Sequence, residues 1–208
     1  MSASRAPVYT AAVTSSELPL FPLRSVLFPG GELRLRVFEA RYLDMVRQCG
    51  RQGSSFGVCL ILDGDEVGAP AVPAAFGTLA SIVDFHADAD GLLGLVVRGA
   101  RRFHVRRTRV RDNGLILADV DWFADPPPQR LRPEHGLLGV LLKDLAQHFG
   151  GALAHAEQRL YDDAAWVGFR LAELLPFSNP DRQKLLQCED PNARLDRIVQ
   201  WLPQLQEG

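Results

Sequence analysis

The sequence predicts an α+β fold in which a β-rich lobe is followed by an all-helical lobe. In the first 124 residues, apolar side chains alternate with polar ones or form short runs bounded by glycine and proline, which is typical of strands. After Asp125-Pro126-Pro127-Pro128 the apolar spacing changes to three and four residues, the period of a helix. The predicted parts are a disordered tail at 1–16, a β-rich lobe at 17–124, a linker at 125–132 and a helical lobe at 133–208.

The β-rich lobe is expected to hold six or seven strands that form a closed or nearly closed antiparallel barrel. Asn113-Gly114 lies between two strand-like runs and indicates a hairpin, because both residues tolerate positive φ. One helix interrupts the strands over 39–51, with Tyr42, Met45 and Val46 on one face and Gly50 or Gly53 as its end. The strands are predicted at 18–23, 32–37, 55–63, 76–86, 92–97, 100–111 and 115–123.

The helical lobe is expected to contain a bundle of short amphipathic helices. Apolar residues repeat every four positions from 137 to 149, which predicts the buried face of the first helix. Aspartate, or a proline at the first helical position, indicates where the later helices begin. These start signals are Asp162-Asp163, Asn179-Pro180 and Asp190-Pro191, and the apolar repeat is Leu137, Leu141, Leu145 and Phe149.

Bulk composition indicates a cytoplasmic protein without a membrane or DNA partner. The net charge of -2 provides no overall field for nucleic acid or anionic lipid. The first residues lack the apolar run of a signal peptide, and no stretch reaches the roughly 20 apolar residues that span a bilayer. Cys49, Cys59 and Cys188 form no CxxC pair, so we expect three buried thiols.

Residue types that catalysis requires do not occur in suitable settings. Lys143 and Lys184 are the two lysines, and neither follows the glycine-rich sequence of a phosphate-binding loop. Both are predicted on amphipathic helices, which argues against a serine–lysine peptidase dyad. The five histidines show no paired metal-ligand spacing and are interpreted as scattered surface or half-buried residues. We therefore expect no enzyme activity, no metal and no cofactor.

The most conspicuous polar feature is the arginine-rich strand Arg98–Arg111. Four of its arginines could form a basic ridge for an RNA backbone: Arg101, Arg102, Arg106 and Arg107. In a strand, Arg101 and Arg107 share one face with Phe103, and the other two lie opposite. The favoured interpretation is a solvated edge strand, whose charges are neutralised by neighbouring aspartates at 112, 119 and 121.

Glu39 and Arg41 form a second candidate contact site. Glu39 also suits the positive end of the helix dipole, with Tyr42 packed inside, and this structural interpretation is favoured.

Several motifs, in order and spacing, resemble the N-terminal domain family of Lon proteases over residues 17–205. The resemblance implies a PUA-like pseudo-barrel with a helical C-terminal part, and a role in substrate recognition. In full-length Lon proteases this domain precedes an ATPase and a Ser/Lys peptidase domain. This sequence ends where those would begin, so we expect a free-standing bacterial member. The motifs are Leu18-Pro-Leu-Phe-Pro-Leu-Arg24, Val26-Leu-Phe-Pro-Gly30, Val37-Phe-Glu-Ala-Arg-Tyr42, Gly77-Thr-Leu-Ala80, Gly99-Ala-Arg-Arg-Phe103 and Asp181-Arg-Gln-Lys-Leu-Leu186.

The function expected from the residues and the resemblance together is non-catalytic polypeptide recognition. The peptide would lie in a groove between the lobes, lined by apolar and arginine side chains, or would add to an exposed sheet edge. The alternative is an RNA-binding PUA-like module that uses the arginines of Arg98–Arg111.

Overall fold

A computed structural model describes residues 17–87, 91–124 and 127–206. The predicted tail at 1–16 lies outside the described residues, as does the start of the predicted linker at 125–126. The described β-rich part contains six strands and one α-helix, α1 (Ala40–Gln52). The strands are β1 (Leu18–Leu23), β2 (Glu32–Val37), β3 (Phe56–Asp63), β4 (Val72–Ala87), β5 (Leu93–Val110) and β6 (Ile116–Trp122).

The sheet closes on itself because β5 is long enough to pair with three neighbours. The strand order is β2-β5-β4-β3-β1-β6, and β6 returns to pair with β5. The first half of β5 lies between β2 and β4, and its second half pairs with β6 from Phe103 to Val110. Five strands therefore form the barrel, and β2 extends the sheet beyond it as an edge strand.

Two details of the strand prediction are wrong. The runs 92–97 and 100–111 form one continuous strand, because Gly99 stays in the ladder and bonds to the Gly30–Gly31 turn. The sheet is not wholly antiparallel, since β1 pairs with β3 in parallel, with Leu20 opposite Gly57. Sequence alternation identifies strands but does not give the direction of their partners.

Helix α1 packs against the sheet in a cluster of buried side chains that also holds apolar residues of β2. Tyr42, Met45 and Val46 are buried on the predicted face, together with Cys49. Gly53 ends the helix in the left-handed conformation with φ 61°. Gly50 lies within the helix, so of the two glycines only Gly53 ends it.

The described helical part follows the predicted start signals. Asp163, Ser178 and Asp190 are the N-caps of α4, α5 and α6, and each side chain accepts a backbone N–H of the first turn. Short 3₁₀ segments precede α2, lie between α3 and α4, and follow α6. The α-helices are α2 (Gly136–Phe149), α3 (Gly151–Ala154), α4 (Ala164–Leu174), α5 (Asn179–Gln187) and α6 (Pro191–Trp201).

The buried face of α2 differs from the predicted one. Leu137 and Phe149 are exposed, at 82% and 61% of their surface, whereas Leu138, Leu142 and Ala146 are buried. Both sets repeat every four residues, so the sequence contained two apolar stripes. Packing against α4 and the 3₁₀ segment Gln158–Asp162 selects the second stripe.

One hydrophobic core joins the two parts of the molecule. Val26, Phe28, Leu60 and Ala74 of the β-rich part lie in the same cluster of buried side chains as the helices α2, α4, α5 and α6. A second cluster lies between the sheet and α1. Within the described ranges, no helix is both long and apolar enough to cross a bilayer.

Candidate functional site

The edge strand β2 offers backbone hydrogen-bonding groups to the surroundings. Among described strands it pairs with β5 alone. The Gly99 N–H donates to the Gly31 carbonyl over 2.8 Å, so this carbonyl points towards β5, as do both backbone groups of Leu33 two residues later. In an antiparallel pair, successive residues point their backbone groups alternately towards the partner strand and away from it. The N–H and C=O groups of Glu32 and Arg34 therefore face the outer edge. Within the described part of the chain, neither residue bonds another backbone group there.

A groove of about 420 Å³ runs along this outer edge, and we call it the β2 groove. Its volume is in the range of ordinary ligand sites. Phe21, Leu23 and Tyr42 provide apolar surface, and Val67 stands on the opposite wall, half exposed. One wall consists of five consecutive residues of β2: Leu33, Arg34, Leu35, Arg36 and Val37.

The loop that forms the opposite wall is held by polar contacts. The backbone N–H of Arg24 donates to Glu66, and the Arg24 guanidinium pairs with Asp65 and donates to the Gly64 carbonyl over 3.1 Å. The Gly68 N–H approaches Glu39 Oε2 at 3.4 Å. The acidic side chains around the groove therefore already have partners.

Arg41, a candidate contact residue in the sequence, is buried beneath the groove. Its guanidinium pairs with Glu39 at 2.9 Å, donates to the Gly114 carbonyl and lies 4.8 Å from the centre of the Tyr42 ring. Burial raises the pKa of Tyr42 above its ordinary value. The structure thus gives Arg41 a supporting position and does not place it on the groove surface.

Two exposed arginines of β5 pair with aspartates of β6, as predicted. The prediction that this strand is an edge strand is wrong, because β5 pairs with β2, β4 and β6. Arg106 pairs with Asp121 at 3.3 Å, and Arg107 approaches Asp119 at 3.8 Å. Arg101 donates to the Phe123 carbonyl, with its guanidinium 5.5 Å from the Trp122 ring centre.

Arg102 does not belong to an exposed basic ridge, and that placement is wrong. Only 6% of its surface is exposed, because α5 and its C-terminal loop cover this face of β5. The guanidinium donates to the carbonyls of Leu186 and Cys188 over 2.7 and 2.9 Å. Arg102 therefore links the barrel to the helical part.

The pocket at the junction of the two parts carries less of the expected chemistry. A more open pocket at the junction of the two parts is lined by Phe76, Lys184 and Trp201 among others, whereas the β2 groove is formed wholly within residues 21–67. The exposed strand edge to which a peptide could add therefore lies in the β2 groove and not in the groove that was expected between the lobes.

The remaining polar groups are placed as follows. The three thiols are free and buried, as predicted. His135 was expected at or near the surface but is buried, with its Nε2 at 2.7 Å from Asp196 Oδ1. In the described ranges, no three His, Cys, Asp or Glu side chains come together to hold a metal ion.

A five-stranded mixed barrel with an edge strand, joined to a helical bundle by a shared core, is the fold of Lon N-terminal domains. The crystal structure of a Lon N-terminal domain protein from Xanthomonas campestris is similar, with a TM-score of 0.77 and 53% identity, covering 89% of this chain and 98% of that one. The N-terminal domain of a Mycobacterium avium complex Lon protease shares the fold at a TM-score of 0.62 and 17% identity, over 89% of this chain and 97% of that one.

The family model of the ATP-dependent protease La (LON) substrate-binding domain matches residues 17–204, and the chain belongs to this family. Lon protease 2 of Myxococcus xanthus is 30% identical over 200 residues. That match covers 91% of this chain and 24% of the relative, so the chain spans about a quarter of the length of that relative. The expected family and the expected α+β fold are both confirmed.

Proposed function

We propose that this domain recognises extended polypeptide segments in the β2 groove and holds them, in the cytoplasm, without chemical turnover. The observation that carries the proposal is the lining of one groove wall by five consecutive residues of an edge strand, 33–37. Membership of a substrate-binding domain family supports a polypeptide as the ligand.

The geometry supports strand addition as the mode of binding. The outward N–H and C=O groups of Glu32 and Arg34 can pair with the backbone of a peptide laid along the edge. Such bonds form with any sequence, which suits a domain that meets many unfolded segments. Alternate side chains of the peptide would then face the apolar surface of Phe21, Leu23 and Tyr42, which adds affinity through burial.

The groove lining supports binding without turnover. Its hydroxyls belong to Ser25 and Tyr42, and its ionisable side chains otherwise are arginine and glutamate. A hydroxyl acts as a nucleophile only when a base lies within hydrogen-bonding reach. Among the described residues, no hydrogen bond joins either hydroxyl to a carboxylate. Glu39 is engaged by Arg41, and Glu66 accepts the Arg24 N–H.

Replacing Arg34 with proline is expected to weaken peptide binding strongly without unfolding the domain. Proline removes the outward N–H of Arg34, but no bond to β5 is lost, since edge strands tolerate proline on the side without a partner. We expect the affinity for peptides that bind the wild type to fall about tenfold or more, because two or more backbone bonds become strained or lost. Fluorescence anisotropy with hits from a peptide array measures this.

Arg34→Ala is the matched control, because it shortens the side chain but keeps the N–H. It is expected to bind generic apolar peptides within about threefold of the wild type, and the unfolding free energy of Arg34→Pro is expected to fall by no more than about 1 kcal/mol. Unchanged binding by a folded Arg34→Pro variant would exclude the edge of β2. An array on which the wild type shows no saturable binding would remove polypeptide recognition itself.

RNA binding remains the alternative from the sequence, and it would depend on Arg101, Arg106 and Arg107. The pairing of Arg106 with Asp121 and of Arg107 with Asp119 weakens the field that phosphates would meet. Salt-sensitive RNA binding that Arg106→Glu abolishes would favour this function over the groove.

A further inference from the structure

The two faces of β2 differ in chemistry, and this difference specifies a ligand. We infer, on the basis of the proposed function, that the β2 groove prefers extended segments in which acidic side chains alternate with apolar ones. The ligand class is therefore an acidic–apolar strand and not an indiscriminately apolar one.

One face of β2 is apolar and turned towards the core. Leu35 and Val37 are buried beside Phe21 and Tyr42, and Leu33 is partly buried against the same cluster. A strand added at the edge continues the pleat, so every second side chain lies on this face. Apolar residues at those positions would cover the groove surface from water.

The other face of β2 carries an exposed arginine that is available to pair with an acidic residue of a ligand. Arg34 is exposed and lines the groove, and its cross-strand neighbour on β5 is Val96. Glu32, two residues before it, is engaged by Arg98, whose Nε donates to it over 3.1 Å. In the described part of the chain no acidic side chain pairs with Arg34.

Cross-strand pairing then determines the charge of the ligand. A residue of the added strand directly opposite Arg34 has its Cβ about 5 Å away, where an opposite charge stabilises the pair and a like charge destabilises it. The Glu39 and Glu66 carboxylates at the groove do not reverse this preference. The Arg41 guanidinium neutralises Glu39, and Glu66, which accepts the Arg24 N–H, lies on the wall opposite β2. The acidic residue belongs to the ligand.

A second copy of this chain is a poorer occupant than such a peptide. Two β2 strands paired antiparallel about Arg34 would place the two Arg34 side chains opposite each other. Pairing about Leu35 would place Arg34 opposite Arg36, again two like charges. Pairing about Leu33 would place Arg34 opposite Glu32, a carboxylate that Arg98 already engages.

Three synthetic peptides of equal length test the inference, each alternating valine with glutamate, glutamine or lysine. We expect the full-length wild-type chain to bind the glutamate peptide roughly fivefold to tenfold more tightly than the lysine peptide, with glutamine between them. Arg34→Glu should reverse this order. Arg159→Glu, an exposed arginine of the helical part, should leave it unchanged.

The outcomes separate this inference from the proposed function. Equal affinities for the three peptides, or the same order in Arg34→Glu as in the wild type, would overturn the acidic preference while leaving strand addition intact. Binding of none of the three peptides, when array hits still bind, would also overturn it. Failure of every peptide, array hits included, would remove the proposed function instead. A wild-type chain that sediments as a dimer and that Arg34→Glu converts to a monomer would assign the groove to a second copy.

Discussion

Replacing Gly99 with alanine is expected to lower the free energy of unfolding by about 3–4 kcal/mol, since an added methyl would force backbone to move in a packed region. A Cβ at this position would overlap the carbonyl oxygen of Phe28. Phe28 is fully buried in the core that joins the barrel to the helices, and it cannot retreat. Gly99 also bonds the Gly30–Gly31 turn through its N–H and C=O, so the strand cannot shift either.

Gly50→Ala is the matched control for this substitution. Gly50 lies inside α1, and a Cβ there would meet no atom within 4 Å. We expect alanine to stabilise the domain by about 0.5–1 kcal/mol, because it restricts the unfolded chain and favours the helix. Urea denaturation measures both variants. A Gly99→Ala variant as stable as the wild type would show that the turn and β5 are not in close contact.

Replacing Arg194 with methionine is expected to cost about 3 kcal/mol of stability. The buried Leu185 carbonyl loses its side-chain donor, and the Cys188 carbonyl keeps only the bond from Arg102. Arg194 is fully buried, and burial lowers the pKa of its guanidinium. Its Nε donates to the Leu185 carbonyl over 3.0 Å and its Nη2 to that of Cys188, at the C-terminal end of α5. The guanidinium carbon lies 3.8 Å from the centre of the Phe169 ring.

Arg197→Met, one turn further along α6, is the control for lost charge. Arg197 is exposed, with a single bond to the Lys184 carbonyl at 3.3 Å, and its replacement is expected to cost less than about 0.5 kcal/mol. Thermal or urea unfolding distinguishes the two. Equal losses of unfolding free energy in the two variants would mean that the bonds from Arg194 to the carbonyls add no stability beyond that of an exposed arginine.

The fold was largely predictable because its local signals agree. Strand alternation and helix caps depend on neighbouring residues, so β2 and the capping role of Asp163 were readable from the sequence. The buried stripe of α2 and the continuity of β5 through Gly99 depend on distant elements that cover them. No local sequence pattern indicates those contacts.

The candidate site was less predictable for the same reason. Arg102 and Arg41 look like surface cations in the sequence, yet each is buried against carbonyl groups from distant elements. Arg34 gave no signal, because its importance follows from β2 being the edge of the sheet. That position is a property of the strand order, which alternation does not reveal. A peptide adding to some exposed edge could be expected, but the strand could not be named.

Amide hydrogen exchange of the Arg34 N–H, with and without a saturating peptide, tests strand addition to β2 most directly. This N–H faces the outer edge, so it should exchange readily in the free domain and be slowed about tenfold or more when a peptide strand accepts its bond. The Leu33 amide, which points to β5, should change little. Saturable binding that leaves the Arg34 amide unprotected would contradict recognition at this edge.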